Sequence, residues 1–115
     1  MIAHVVLLRP KPTLSSTARA AFVSAFERAV QEIPTVRGVR VGRRVTHGAA
    51  YEQVAGDATF LAVIDFDDVE GLKAYLLHPA HAELGRLFGE VLQTAQVFDF
   101  SVGGIEQLHL IAQGR

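Results

Sequence analysis

Residues 60–66 read Phe-Leu-Ala-Val-Ile-Asp-Phe, and this segment decides the fold because it is apolar on both sides of an extended chain. Side chains of a β-strand alternate between the two faces of a sheet. Positions 60, 62, 64 and 66 therefore lie on one face, and positions 61 and 63 lie on the other. Since both sets are apolar, we expect this strand to sit in a sheet that is covered on both faces.

Strands and helices are predicted on either side of this segment from the period of the apolar residues. Strands are expected at residues 2–8, 36–45, 58–66 and 94–102. Helices are expected at 18–33, at 69–77 after the acidic pair Asp67–Asp68, and over the segment that carries Leu84 to Leu92. The resulting order, β-α-β-β-α-β, predicts an α+β, ferredoxin-like fold with a four-stranded antiparallel sheet.

The second apolar face of this sheet needs a cover, because the helices of such a domain lie on one face. The first strand repeats the pattern, with Val6 and Leu8 on one side and Val5 and Leu7 on the other. An exposed apolar face of this size marks an interface. We therefore expect a homodimer in which two sheets pack face to face as a dimeric α+β barrel. The alternative is that the apolar C-terminal tail, which follows Gly103-Gly104, folds back over the sheet.

The composition limits the classes of function. The 115 residues fit one domain, predicted at 1–102, with a tail at 103–115. A net charge of -1 does not favour binding to nucleic acid or to an anionic membrane. The chain has no cysteine, which excludes disulfides and thiol catalysis. The single basic cluster, which has no interleaved aromatic residues, does not favour nucleic-acid binding either; it consists of Arg37, Arg40, Arg43 and Arg44. We expect a cytoplasmic protein.

Candidate catalytic residues are concentrated in residues 75–81, which read Tyr-Leu-Leu-His-Pro-Ala-His. Histidine exchanges protons near neutral pH, and a tyrosine hydroxyl can stabilise a developing oxyanion. His81 falls in the first turn of a predicted helix, whose dipole disfavours the charged imidazolium. The structural alternatives are that His78 caps the short helix and that Tyr75 is a core aromatic residue. Two histidines without a third ligand do not predict a metal site.

His4 is a polar residue in an otherwise apolar strand, on the same side as Val6 and Leu8. A buried histidine requires a hydrogen-bonding partner. His4 is therefore either a core residue with such a partner or a residue that lines a pocket. Asp99 lies between Phe98 and Phe100, and we expect it to bind backbone or an arginine rather than to act as a catalytic acid.

Several segments of the chain together resemble the stress-responsive A/B barrel (Dabb) family. The match runs from Ile2 to about Val102, and its most specific part is the tyrosine-x-x-histidine-proline-x-histidine run that begins at Tyr75. The resemblance implies a ferredoxin-like fold and a dimeric α+β barrel that uses no cofactor. The other matching segments are His4 to Leu8, Ile33-Pro34, Val39 to Gly42, Phe66 before an acidic helix start, and Phe98 to Phe100.

The resemblance also implies site residues, because a plant polyketide cyclase of this family closes its substrate by a cofactor-free aldol condensation. In that interpretation His81 is the general base, and Tyr75 polarises a carbonyl group or holds the substrate. His4, His78 and Phe60 would contact the substrate. Phe60 stands where the cyclase has a further pocket histidine, which makes the pocket more apolar. We thus expect a small apolar, acyl or aromatic ligand.

Two other functions remain open at this point. One is a non-catalytic stress-response or ligand-binding module in which the histidines are structural. The other is a heme-handling or monooxygenase-like barrel, for which the sequence contains no cofactor motif.

Overall fold

The computed structural model describes residues 1–114. A single sheet is flanked by helices, and the second helix of the predicted motif is divided into two. The elements are β1 (Ile2–Pro10), α1 (Ser16–Glu32), β2 (Gly38–Arg43), β3 (Phe60–Phe66), α2 (Val69–Leu77), α3 (Pro79–Val91), β4 (Leu92–Ser101) and α4 (His109–Ala112), with 3-10 turns at Ala50–Gln53 and Ile105–Leu108.

The four strands form one antiparallel sheet in the order β2-β3-β1-β4. This order and the alternation of elements confirm the predicted ferredoxin-like fold. Two strand boundaries differ from the prediction. β2 is shorter, because its last pair joins Arg43 to Phe60 and the chain then leaves the sheet. β4 begins earlier, at Leu92, directly after α3.

The helices cover the face of the sheet that carries the even-numbered residues of β1. Local signals fix where two of these helices begin. The Ser15 hydroxyl accepts from the backbone N–H of Ala18 at 3.1 Å, and the Asp68 carboxylate accepts from the N–H of Gly71 at 2.8 Å. The core between helices and sheet is formed by two clusters that include Ala25, Ala29, Ile33, Ile64, Phe66, Leu72, Tyr75, Ala80, Leu84 and Leu87, and Val6, Leu8, Ala62, Val91 and Leu92.

The opposite face of the sheet, which we call the open face, is uncovered. Phe98 and Phe100 on this face are 46% and 53% exposed, and Leu61 is 38% exposed. Every described residue of the tail, 103–114, is also exposed, so the tail does not cover the open face. The chain is 19 Å thin, and its radius of gyration of 15.9 Å exceeds the roughly 13 Å expected of a globular domain of this length.

Among residues 1–114, no helix has the length and apolar character needed to cross a membrane.

Candidate functional site

His78 forms the junction between α2 and α3. Its backbone N–H donates to the carbonyl of Tyr75 at 3.2 Å, which ends α2. Its Nδ1 accepts from the backbone N–H of Ala80 at 3.0 Å, which caps α3. Pro79 occupies the first position of α3, where a backbone N–H would have no hydrogen-bonding partner within the helix, so proline loses no bond there. The histidine–proline pair thereby fixes Tyr75 and His81, each three residues from the junction, on two consecutive helices.

A cavity of about 220 Å³ lies between the helices and the sheet. Three polar side chains, His4, Tyr75 and His81, reach it from β1, α2 and α3, and most of the remaining wall is apolar. Ligand pockets typically have a mostly apolar wall with a few converging polar groups, and most are somewhat larger than this one. The rest of the lining consists of Val6, Phe26, Ile64, Leu76, Leu84, Gly85, Phe88 and Val97.

Tyr75 is almost fully buried, at 1% exposure, and its ring meets the ring of His81 edge to face with 4.8 Å between centroids. Within residues 1–114 no group hydrogen-bonds to the Tyr75 hydroxyl. Every fully buried side-chain nitrogen or oxygen in this part of the chain does have a partner, so the Tyr75 hydroxyl is not fully buried. The hydroxyl is therefore accessible from the cavity. Burial raises the pKa of Tyr75 to about 12, so the hydroxyl stays protonated at neutral pH and can donate to a ligand.

His81 is the group in the cavity best suited to accept a proton. Burial lowers its pKa from the ordinary value of 6.5, and positive charge on His4 lowers it further. A hydrogen bond to the backbone carbonyl of Leu76 opposes these two effects but does not cancel them. The imidazole of His81 is therefore mostly neutral at neutral pH, as a general base must be.

His4 is buried at 5% exposure, and its Nδ1 lies 2.6 Å from Oδ1 of Asp99. The pair spans adjacent strands, because the β1–β4 register places these two residues opposite each other. Both sequence-based interpretations of His4 therefore hold, since it has a partner in the core and also lines the cavity. The prediction that Asp99 binds backbone or an arginine was wrong. The β1–β4 pairing of a ferredoxin-like sheet is the signal that could have identified its partner.

Phe60 and His78, the other two residues that the resemblance placed in the pocket, do not line this cavity. Phe60 pairs with Leu8 in the sheet. Ile64, which lines the cavity and pairs with His4, lies two side-chain rows from Phe60 on the same face of the sheet. Phe60 instead borders a second cavity, near the loop between β2 and β3. His78 is engaged in capping, as the structural alternative proposed.

Much of the cavity wall comes from residues that the sequence analysis did not single out. Phe26 of α1 and Leu84 and Phe88 of α3 line it, and they lie on the apolar sides of their helices. Helical periodicity could have identified this side but not the cavity. Among residues 1–114, no three histidine, aspartate or glutamate side chains cluster so that they could bind a metal ion.

Comparisons with known proteins place these observations in a family. The model of the Stress responsive A/B Barrel Domain family matches residues 2–102. Olivetolic acid cyclase from Cannabis sativa is 24% identical over 100 residues, covering 87% of this chain and 95% of that one.

Solved structures share the same fold. Hydroxynitrile lyase from Passiflora edulis superposes with a TM-score of 0.75 at 19% identity, over 89% of this chain and 93% of the lyase. A dimeric ferredoxin-like protein of unknown function from Thermobifida fusca has a TM-score of 0.67 at 25% identity, over 88% and 90% of the two chains.

Proposed function

Because the chain belongs to the stress-responsive A/B barrel domain family, we propose that it acts as a homodimer whose subunits each carry out cofactor-free acid–base chemistry in the cavity. The substrate class is a small, mostly apolar carbonyl compound with an acyl or aromatic body. The reaction is of the aldol-cyclase or lyase type. The observation that carries this proposal is that Tyr75 and His81 line one apolar cavity with their proton affinities shifted in opposite directions.

The lining of the cavity supports this substrate class. Its apolar wall suits a hydrocarbon body, and the accessible hydroxyl of Tyr75 is a donor for one carbonyl oxygen. His4, fixed by Asp99, adds a third polar group on the sheet side. Two relatives are named a cyclase and a lyase, which supports this reaction class.

In the proposed reaction, His81 removes a proton from the carbon next to the substrate carbonyl. The electron pair of the broken C–H bond forms an enolate, whose oxygen accepts a hydrogen bond from the Tyr75 hydroxyl. The enolate carbon then attacks a second carbonyl carbon of the same molecule and forms a carbon–carbon bond. The new alkoxide takes the proton back from His81, so the enzyme returns to its starting state.

The first step can be tested without knowing the natural substrate, since proton abstraction in D2O exchanges hydrogen for deuterium next to the carbonyl. We expect the protein to accelerate exchange, followed by proton NMR, in one or more members of a panel of aryl and alkyl methyl ketones and β-diketones. His81→Ala should lose about 100-fold or more of the acceleration, as expected for a lost general base. Tyr75→Phe should lose about 100-fold, as expected for a lost oxyanion donor.

His109→Ala is the matched control, because His109 is exposed in α4 and does not line the cavity. It should exchange at the wild-type rate. The enzyme proposal fails if no compound exchanges faster with wild type than with His81→Ala. Compounds that bind without exchange would instead establish a ligand-binding module.

A cytoplasmic location stays a prediction that rests on the absence of cysteine.

A further inference from the structure

Two opposite charges lie on the otherwise largely apolar open face. The strand register places Arg40 of β2 beside Val63 of β3, and Asp65 of β3 beside Gly38 of β2. Both residues therefore lie on the side of the sheet that carries Leu61, away from the helices and from the cavity of His81. The proposed reaction uses neither of them, so their presence on this face needs a separate explanation.

Neither charge is neutralised within its own chain. Among residues 1–114, Arg40 and Asp65 form no ion pair, whereas Arg9, the third charged strand residue on this face, lies 3.7 Å from Asp57. Arg40 and Asp65 occupy diagonal positions on adjacent strands, which are close enough for long side chains to meet. The carboxylate instead lies over Gly38, where an added Cβ would be 3.2 Å from Oδ2 of Asp65.

The two charges share their side-chain rows with the exposed phenylalanines of β4. The row of Arg40 ends at Phe98, and the row of Asp65 ends at Phe100. A partner that covers these two rows removes both charges from water. Burial of a charge is strongly unfavourable unless an opposite charge accompanies it. The partner must therefore present a carboxylate to Arg40 and a cation to Asp65.

A second copy of the chain presents both groups at once. In a two-fold symmetric interface, a contact between two different residues occurs twice, with the roles of the subunits exchanged. Arg40 of each subunit then meets the carboxylate of the other, and no charge is left alone. Facing sheets pack about 10 Å apart, and the long side chain of arginine extends across much of this gap.

We propose that Arg40 of each subunit forms an ion pair with the partner's Asp65, and that these two equivalent pairs fix how the two open faces stack. The inference rests on the proposed homodimer and adds the residues that select the relative position of its sheets. Apolar contacts are non-directional and permit several ways of stacking. A buried charge pair excludes every arrangement that leaves one of its members unpaired.

Charge reversal tests the pairing, because Arg40→Asp gives a chain with two negative charges at these positions and Asp65→Arg gives one with two positive charges. Each variant alone should have a dimer dissociation constant at least about 100-fold above that of wild type, since like charges then face each other twice. An equimolar mixture should form a heterodimer with nearly wild-type affinity, because opposite charges meet again at both positions. The double variant that carries both substitutions should dimerise like wild type.

Sedimentation velocity measures the dissociation constants, and native mass spectrometry identifies the heterodimer because the two variant chains differ in mass. Far-UV circular dichroism establishes that each variant is folded. Arg43→Asp is the matched control, since Arg43 pairs with Phe60 and lies on the other side of the same strand. It should dimerise as wild type does.

The outcomes separate this inference from the proposed homodimer. A monomeric wild type would overturn the homodimer and the ion pair together. A dimeric wild type whose two single variants also remain dimeric would overturn the ion pair alone. Single variants that are monomeric and remain so when mixed would show that the two charges act within one chain, which likewise contradicts the pairing between subunits.

Discussion

His4 and Asp99 are 95 residues apart in sequence, yet their side chains are 2.6 Å apart beside the cavity. The contact orients the imidazole of His4 and compensates the charge that it carries when protonated. That charge in turn acts on His81, the second cause of its lowered pKa after burial. Asp99 thus affects the cavity only through its contact with His4.

Replacement of His4 by asparagine should raise the pKa of His81 toward 6.5, because one of the two causes that lower it is removed while burial remains. The pKa is measured by following the His81 imidazole signals by NMR across a pH titration. Since the neutral imidazole is the base in the proposed reaction, the acid limb of the deuterium-exchange rate should move to higher pH with it. The pKa of His109 serves as an internal reference and should not move. An unchanged or lower pKa at His81 would contradict the electrostatic role of His4.

At the level of residues, the sequence identified those that have a characteristic chemistry. His4, Tyr75 and His81 stand out by residue type, and all three reach the same cavity. The surroundings of Asp99 and Phe60 depend on strand register, so residue type alone did not predict them. Phe60 lies two side-chain rows from Ile64 along β3 and therefore does not reach the cavity. Asp99 lies beside His4 only because β1 pairs with β4.

The junction of α2 and α3 can be tested as an element, since His78 serves as its cap. His78→Ala should reduce the free energy of unfolding by about 1 kcal/mol, the usual cost of losing a side-chain cap. His78→Asn keeps an acceptor of similar reach and should recover most of that loss. Urea unfolding of the two variants beside wild type gives the comparison. Equal stability of the alanine and asparagine variants would show that the 3.0 Å bond to Ala80 contributes nothing.

Element boundaries were predictable where the signals are local. The helix predicted at 69–77 is found as α2, Val69–Leu77, because Asp68 caps its beginning and His78-Pro79 ends it. The boundaries of β2 were not predictable in this way. Val45 continues the alternating pattern but is 76% exposed, because β3 offers it no partner beyond Phe60. A strand ends where its neighbour ends, and that information lies elsewhere in the chain.

At the scale of the whole molecule, the thin shape and the open face lead to a prediction about association. The wild-type protein should be a dimer at micromolar concentration, and Phe98→Lys should convert it to a monomer by placing a charge within the interface. Light scattering coupled to gel filtration measures both masses. Leu77→Lys is the matched control, since Leu77 is 86% exposed and lies at the end of α2, away from the open face. A monomeric wild type, or a Phe98→Lys variant that remains dimeric, would contradict the proposed barrel.

β4 contributes to both faces of the sheet, because Asp99 contacts His4 on the helix-covered face while its neighbours Phe98 and Phe100 lie on the open face. In the proposed dimer, the contacts that hold these two phenylalanines also fix the backbone that carries Asp99. Turnover per chain would then fall when the protein is diluted below its dissociation constant, although each chain contains the complete set of side chains. The concentration of the protein in the cell would therefore set the turnover of each chain.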